Sequence, residues 1–446
     1  MGRTSLRKSE FPAGKVACIT ALTVGALVLY SVGFRSVYFS TVLGASPQEP
    51  KFKVDPDWPR PLPHKWKIGG ITGLAVDKDD NVWVYDRPND LTDIELEAEL
   101  NPPIADCCIS PPSLIHFDKQ GNVIGYINPP QGHGMAVDAQ GFLYTGNTVG
   151  GLDSVHKYDP KTGQLLGTVP RAPEREAGVG RNQDEGMDSH LPGHGSAGPV
   201  ANFIRPLGAP SRPQLSPEAQ TARRAAIKAF REKYPPNTPM IVGNIEEVRI
   251  DDKDQELYCT DSYLGGRIMV FDLATLAFKR GWGAYGHQLS EISTDDKDRS
   301  YVPGGPEPKE FRGHLTLNIS SDELVYAADR MANRIQVFTK EGKFLKEFTL
   351  ATNTGAGGSA GGVMFSPEKA QHLLYISDIT NNHIWFLNRE DGKVMGQIGQ
   401  MGQSPGEFFG LHMEAVDSKG NIYTGEVFGG ERVQKFTPVK QPEREH

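Results

Sequence analysis

The phrase "HGMAVDAQGFLYTGN", His133 to Asn147, returns 279 residues later as "HMEAVDSKGNIYTGE", His412 to Glu426, with 8 of 15 positions identical. A chain that repeats a strand-like phrase is built from repeated units, and that constraint outranks any local reading. Used as a ruler, the phrase divides the chain into six copies of one frame. The recurring frame has a β-rich run, an Asp or Asx turn and a Gly-rich tip, then a second strand ending in Asp or a substitute. A run of the type Arg-Ile-x-Val-Phe and a third strand follow. The copies open at "ITGLAVDKDDNVWVYDR", "GHGMAVDAQGFLYTGN", "EEVRIDDKDQELYCTD", "HLTLNISSDELVYAADR", "GGVMFSPEKAQHLLYISD" and "HMEAVDSKGNIYTGE". Apolar and polar residues alternate with the period of a half-buried strand, and the turns carry residues that accept tight geometry. The 50 Gly and 33 Pro suit a chain of short strands and many turns. Small sheets at fixed spacing cannot bury both faces alone, but packed radially they can. The expected fold is all-β, a six-bladed β-propeller, with Lys51–Trp66 supplying the strand that closes the ring.

Residues 1–50 stand apart from the propeller, which occupies 51–446. Arg3, Arg7, Lys8 and Lys15 precede an apolar run of 19 residues, Val16–Phe34, just long enough to span a bilayer as a membrane helix. Positive charge ahead of it places the amino terminus in the cytoplasm and the propeller outside, periplasmic or extracellular. Cleavage after Ala45 would make it a signal segment and the propeller a secreted protein. Between the second and third copies lies an insert, 171–240, rich in Gly, Pro and charge. It contains a helical stretch, "SPEAQTARRAAIKAFREKY", with Ser216 as cap, Pro217 in the first turn and Glu218 near the positive end. The insert reads equally as a linker or as a lid over one propeller face. A net charge of −8 excludes nucleic acid as a partner, since phosphate binding needs a basic face. Beyond the apolar run three cysteines remain. Cys259 reads as a buried small hydrophobe, while Cys107 and Cys108 allow a bridge between neighbours or a pairing of one with Cys259.

In a propeller the start of each blade's innermost strand lies nearest the central channel. The frame position of His133 is held elsewhere by Thr72, Glu246, His314, a residue near Gly361, and His412. Histidines thus fall in blades two, four and six, about 120° apart in a sixfold ring, and their imidazoles can converge on the axis. Three His on one side of a cation leave a position open, as in a catalytic zinc site. His116, His156, His287, His372 and His383 fall elsewhere in the frame and read as packing or surface residues, and His190 and His194 as solvated loop residues.

These phrases resemble the NHL-type six-bladed propeller of the peptidyl-α-hydroxyglycine α-amidating lyases and their bacterial relatives, from about Trp66 to Phe436 apart from the insert. The resemblance implies zinc held by His133, His314 and His412, from "GHGMAVD", "GHLTL" and "LHMEAVD". It also implies a catalytic Arg87, from "VWVYDR", and a catalytic Tyr263, from "TDSYLGGRI". Arg87 offers a fork for a carboxylate or carbonyl, and a phenol beside a dication is suited to act as base. The implied reaction splits a carbinolamide into an amide and glyoxylate, on a small-molecule or peptide-derived substrate. The chain departs from the family where Met413 replaces an Asp that helps hold a structural calcium, and where Leu264 replaces a cysteine. Two other functions are open to the same fold: a metal-dependent hydrolase such as a lactonase, and a non-catalytic propeller that binds protein or glycan.

Overall fold

The first strand, β1 (Phe52–Asp55), belongs to the last blade. The computed structural model describes residues 49–147, 154–169, 216–238, 242, 245–262, 265–355 and 357–439. Their strands form six four-stranded antiparallel sheets arranged as the blades of a propeller. Blade 1 comprises β2 (Gly70–Val76), β3 (Val82–Arg87), β4 (Leu114–Phe117) and β5 (Val123–Ile127). Blade 2 comprises β6 (Gly132–Val137), β7 (Leu143–Asn147), β8 (Ser154–Tyr158) and β9 (Leu165–Val169). Blade 3 has β10 (Ile245–Asp251), β11 (Glu256–Asp261), β12 (Arg267–Asp272) and β13 (Phe278–Trp282). Blade 4 has β14 (Leu315–Ile319), β15 (Leu324–Asp329), β16 (Arg334–Thr339) and β17 (Phe344–Thr349). Blade 5 has β18 (Met364–Phe365), β19 (Leu373–Asp378), β20 (His383–Asn388) and β21 (Val394–Ile398). Blade 6 runs β22 (Leu411–Val416), β23 (Ile422–Glu426) and β24 (Val433–Pro438), with β1 as its outer strand, paired Phe52 to Pro438 and Asp55 to Lys435. The closing strand thus comes from the expected segment.

The repeated phrases fold alike because the same side chains close the same turn. Asp138 Oδ1 accepts from the backbone N–H groups of Gln140 and Phe142, and Asp417 Oδ1 from those of Lys419 and Asn421. The Tyr144 hydroxyl donates to Asp138 Oδ2 and the Tyr423 hydroxyl to Asp417 Oδ2, each at 3.1 Å. The acidic end of the second strand has a job too. Asp86 accepts from Gly69 N–H, Asp329 from Arg312 and Gly313 N–H, and Glu426 from Phe409 N–H. Each carboxylate thereby fixes the chain as it enters the innermost strand. An Arg at or just before the start of the third strand neutralises the acid in three blades, as Arg267 with Asp261, Arg334 with Asp329 and Arg432 with Glu426.

Apolar packing is distributed around the ring. Ile71, Leu74 and Val84 of blade 1 pack with Met413 and Tyr423 of blade 6. Tyr144 of blade 2 packs with Val248, Leu257 and Cys259 of blade 3. Comparable clusters join the other neighbouring blades. The inward faces of the innermost strands are instead buried and polar, with Thr72, His133, Glu246, Glu247, Thr316, His412 and Glu414.

A helix, α1 (Pro217–Lys233), forms where the capping and Ala-rich pattern predicts, with Glu218 in its first turn and Arg231 and Lys233 in its last. Phe230 is buried, and Arg231 forms an ion pair with Asp296. The apolar run Val16–Phe34 and His190 and His194 lie outside the described residues. Among the described residues no helix is long and apolar enough to cross a membrane. Cys107 and Cys108 are bonded to each other in the β3–β4 loop, and Cys259 is a buried free thiol whose titration burial pushes up.

Candidate metal centre at the hub

Three innermost strands deliver the predicted histidines to the hub: β6 carries His133, β22 carries His412, and His314 stands immediately before β14. All three are buried. His133 Nε2 and His412 Nε2 are 3.2 Å apart, their rings nearly perpendicular at 86°. Each ring is oriented from behind, with His133 Nδ1 2.6 Å from the Glu246 carbonyl oxygen and His412 Nδ1 3.0 Å from that of Ile71. The carbonyls accept only from N–H, so in the neutral rings the proton sits on Nδ1 and both Nε2 atoms present lone pairs. Two facing lone pairs at this distance repel unless a proton or a cation stands against them.

His314 joins the pair indirectly. Its Nδ1 lies 2.9 Å from Glu246 Oε1, and that oxygen lies 3.0 Å from His133 Nε2. Glu246, in the frame position of blade 3, therefore bridges two of the three histidines. The ligand atoms of His133, Glu246 and His412 all fall within 4.8 Å of one another. Tetrahedral zinc with bonds of about 2.1 Å places its donors about 3.4 Å apart, so the spacings of 3.2 and 3.0 Å fit a cation. Burial holds the His412 imidazole well below its usual range, with Arg330 and Arg87 adding to the effect, which favours the neutral ring that a metal requires.

Arg87 ends β3, is buried, and donates from Nε to the Gly132 carbonyl at 3.3 Å, next to His133. Arg330 was not predicted. It follows β15 as Arg87 closes β3, with the same "Asp-Arg" pair in both places, and that internal match is the sequence signal for it. Arg330 is 2% exposed and its backbone N–H donates to the His314 carbonyl. Gly361 of blade 5 lies beside it: a Cβ there would stand 2.9 Å from the Ser377 carbonyl oxygen and in ordinary contact with Arg330 Cδ at 3.4 Å. The frame position near Gly361 supplies a carbonyl, which accepts from Thr316 Oγ1 at 2.8 Å. Tyr263 lies outside the described residues.

On the channel wall Arg249 donates to the carbonyls of Leu317 and Met135 and to Glu247 Oε2. Burial pushes the Glu247 carboxyl up to about 7 against the opposing charge of Arg249, and that of Glu414 up to about 8. Met413, where the resembling family has an Asp, packs into the apolar cluster between blades 6 and 1. His116 stacks on Trp83 at 4.1 Å and His156 bonds Ser154 and Tyr158, both as packing residues.

No family model matches the chain, and no curated protein matches it in sequence. Among solved structures it is similar to a structural genomics protein of unknown function from Bacteroides thetaiotaomicron, at 15% identity and a TM-score of 0.47, covering 84% of this chain and 70% of that one. It is similar to virginiamycin B lyase from Staphylococcus aureus at 10% identity and 0.41, covering 88% and 90%, and to Kuenenia stuttgartiensis hydrazine synthase at 12% and 0.41, covering 80% and 74%. Likeness at this level carries no functional assignment; the fold is read from the strands themselves.

Proposed function

We propose that this propeller is a metal-dependent lyase of the peptidyl-α-hydroxyglycine type, which converts a carbinolamide to an amide and glyoxylate. The observation that supports it is the hub pair, His133 and His412, with Nε2 atoms 3.2 Å apart and both Nδ1 atoms engaged from behind. These two would hold a zinc ion at the core of a ring that His314 and Glu246 complete. Bound there, zinc supplies a Lewis acid toward substrate oxygens.

The chain's own residues account for the rest. Arg87 and Arg330, both buried and both acting electrostatically on His412, would hold a carboxylate in a dry site, where charge-assisted hydrogen bonds are strong. Tyr263 is assigned the base that takes the carbinol proton as the C–N bond breaks, and the proton is returned to the departing amide nitrogen. The Cys107–Cys108 bridge suits a propeller outside the cytoplasm, anchored by Val16–Phe34.

The test is release of glyoxylate from a benzoylated α-hydroxyglycine by the full chain carrying stoichiometric zinc. Turnover of lactones with no glyoxylate released would replace the lyase by a hydrolase. A chain that binds no metal and turns over neither would leave a non-catalytic propeller.

A further inference from the structure

Resting on that metal-site reading, we infer that Glu246 is a ligand of the hub metal alongside His133 and His412, and that His314 acts one step out by orienting the Glu246 carboxylate. The donor atoms of His133, Glu246 and His412 form the mutually close group at the hub. His314 meets that group at the carboxylate, its Nδ1 2.9 Å from Glu246 Oε1. A ring nitrogen donating to a ligating carboxylate is how outer residues fix inner ones around metals. Glu246 is committed to this place twice over. Its carbonyl receives the Nδ1 proton of His133, while its Oε1 faces the Nε2 of the same ring at 3.0 Å.

Charge argues the same way. A dication bound by neutral imidazoles only would sit uncompensated in a buried hub that already holds Arg87 and Arg330. An anionic ligand lowers that charge by one and makes the desolvated site tenable. Two imidazoles and one carboxylate are also a recognised catalytic donor set, taken by zinc with an open position or by iron(II) with several. The chain would then read its substrate at a centre of net charge +1, with the substrate carboxylate answering the two arginines and not the metal alone.

The experiment loads the full chain with zinc and with cobalt(II). Metal content is measured by mass spectrometry, affinity by chelator competition, and donor types by X-ray absorption. Glu246→Gln should lower metal affinity more than about 100-fold, and His412→Gln should do the same. His314→Gln should cost about 10–100-fold, as loss of an outer-shell partner does, and keep the cobalt absorption bands of the parent. Glu246→Asp should retain metal with shifted bands. If Glu246→Gln binds metal like the parent while His314→Gln loses it, the inference is overturned and the metal-site reading survives. If the variants misfold by circular dichroism, X-ray absorption of the unmodified chain decides: two imidazoles with a carboxylate supports the inference, three imidazoles overturns it. A parent chain that binds no metal overturns both.

Discussion

At the scale of single residues, His133, His412 and Arg87 are each held at the hub by a neighbouring strand's backbone carbonyl. Gly146, on β7, shows how closely: a Cβ there would stand 2.1 Å from the His133 carbonyl oxygen. Gly146→Ala should therefore displace β6 at His133 and weaken metal binding at least about 10-fold, read by chelator competition, while an outer-strand change such as Leu166→Ala leaves affinity unchanged. Arg330→Gln should leave metal content intact but weaken binding of a carboxylate-bearing substrate analogue about 10–100-fold, the worth of one hydrogen bond to a charged group at about 1.5–3 kcal/mol. Equal binding by the parent and Arg330→Gln would remove it from the site. The histidines were legible in the sequence because the repeat gives them a common frame position. The bridging role of Glu246 was not legible, although the same frame named the residue, because which side chains touch depends on the geometry of a ring closed through space.

At the scale of elements, the blade is a unit with its own electrostatics. In blade 3, Arg280 grips Glu256 with both nitrogens, at 2.7 and 2.6 Å. Burial alone would raise the Glu256 carboxyl, but hydrogen bonds from Arg280, Lys279 and Tyr258 outweigh it and pull it to about 2. Its folded value lies below its unfolded one, so this pair stabilises the blade above about pH 4.5 and its contribution is lost as pH falls toward 2. Thermal unfolding followed from pH 5 to 2 should show a downward slope that is shallower in Glu256→Gln; an unchanged slope would discount the pair. In blade 4, Arg334 and Asp329 are both 0% exposed. Arg334→Met strands a buried carboxylate that also anchors the approach to His314, and should cost about 3–5 kcal/mol by denaturant unfolding. The turns and the acid-Arg pairing of blades 3, 4 and 6 are carried by residues close in sequence, within reach of a reading of the phrases. The short inner strand of blade 5 could not be read that way, because the chain leading to it is set by Arg330 of blade 4, whose carbonyl oxygen a Cβ on Gly358 would meet at 1.9 Å.

For the whole molecule, closure is the decisive event. β1 comes from the start of the propeller and completes the blade made by its end, where Phe52 packs at 5.6 Å from Phe386 and 6.1 Å from Tyr375. Removing β1 would leave β24 as an open edge. Phe52→Ala should cost about 2 kcal/mol, since the ring is only half-buried, and deletion of residues 1–56 should lower the unfolding midpoint much further. A deletion variant as stable as the parent would show that the ring closes without it. The sequence by itself determined the repeat, its count of six, the radial all-β fold and the three hub histidines, because each is written in a period or a phrase that survives in one dimension. The tertiary structure alone decided that two of those histidines meet Nε2 to Nε2, that Glu246 joins the third to them, and that Arg330 shares the hub with Arg87. Those facts arise where strands far apart in the chain converge on one axis, and no pattern along the chain measures the distance across a ring.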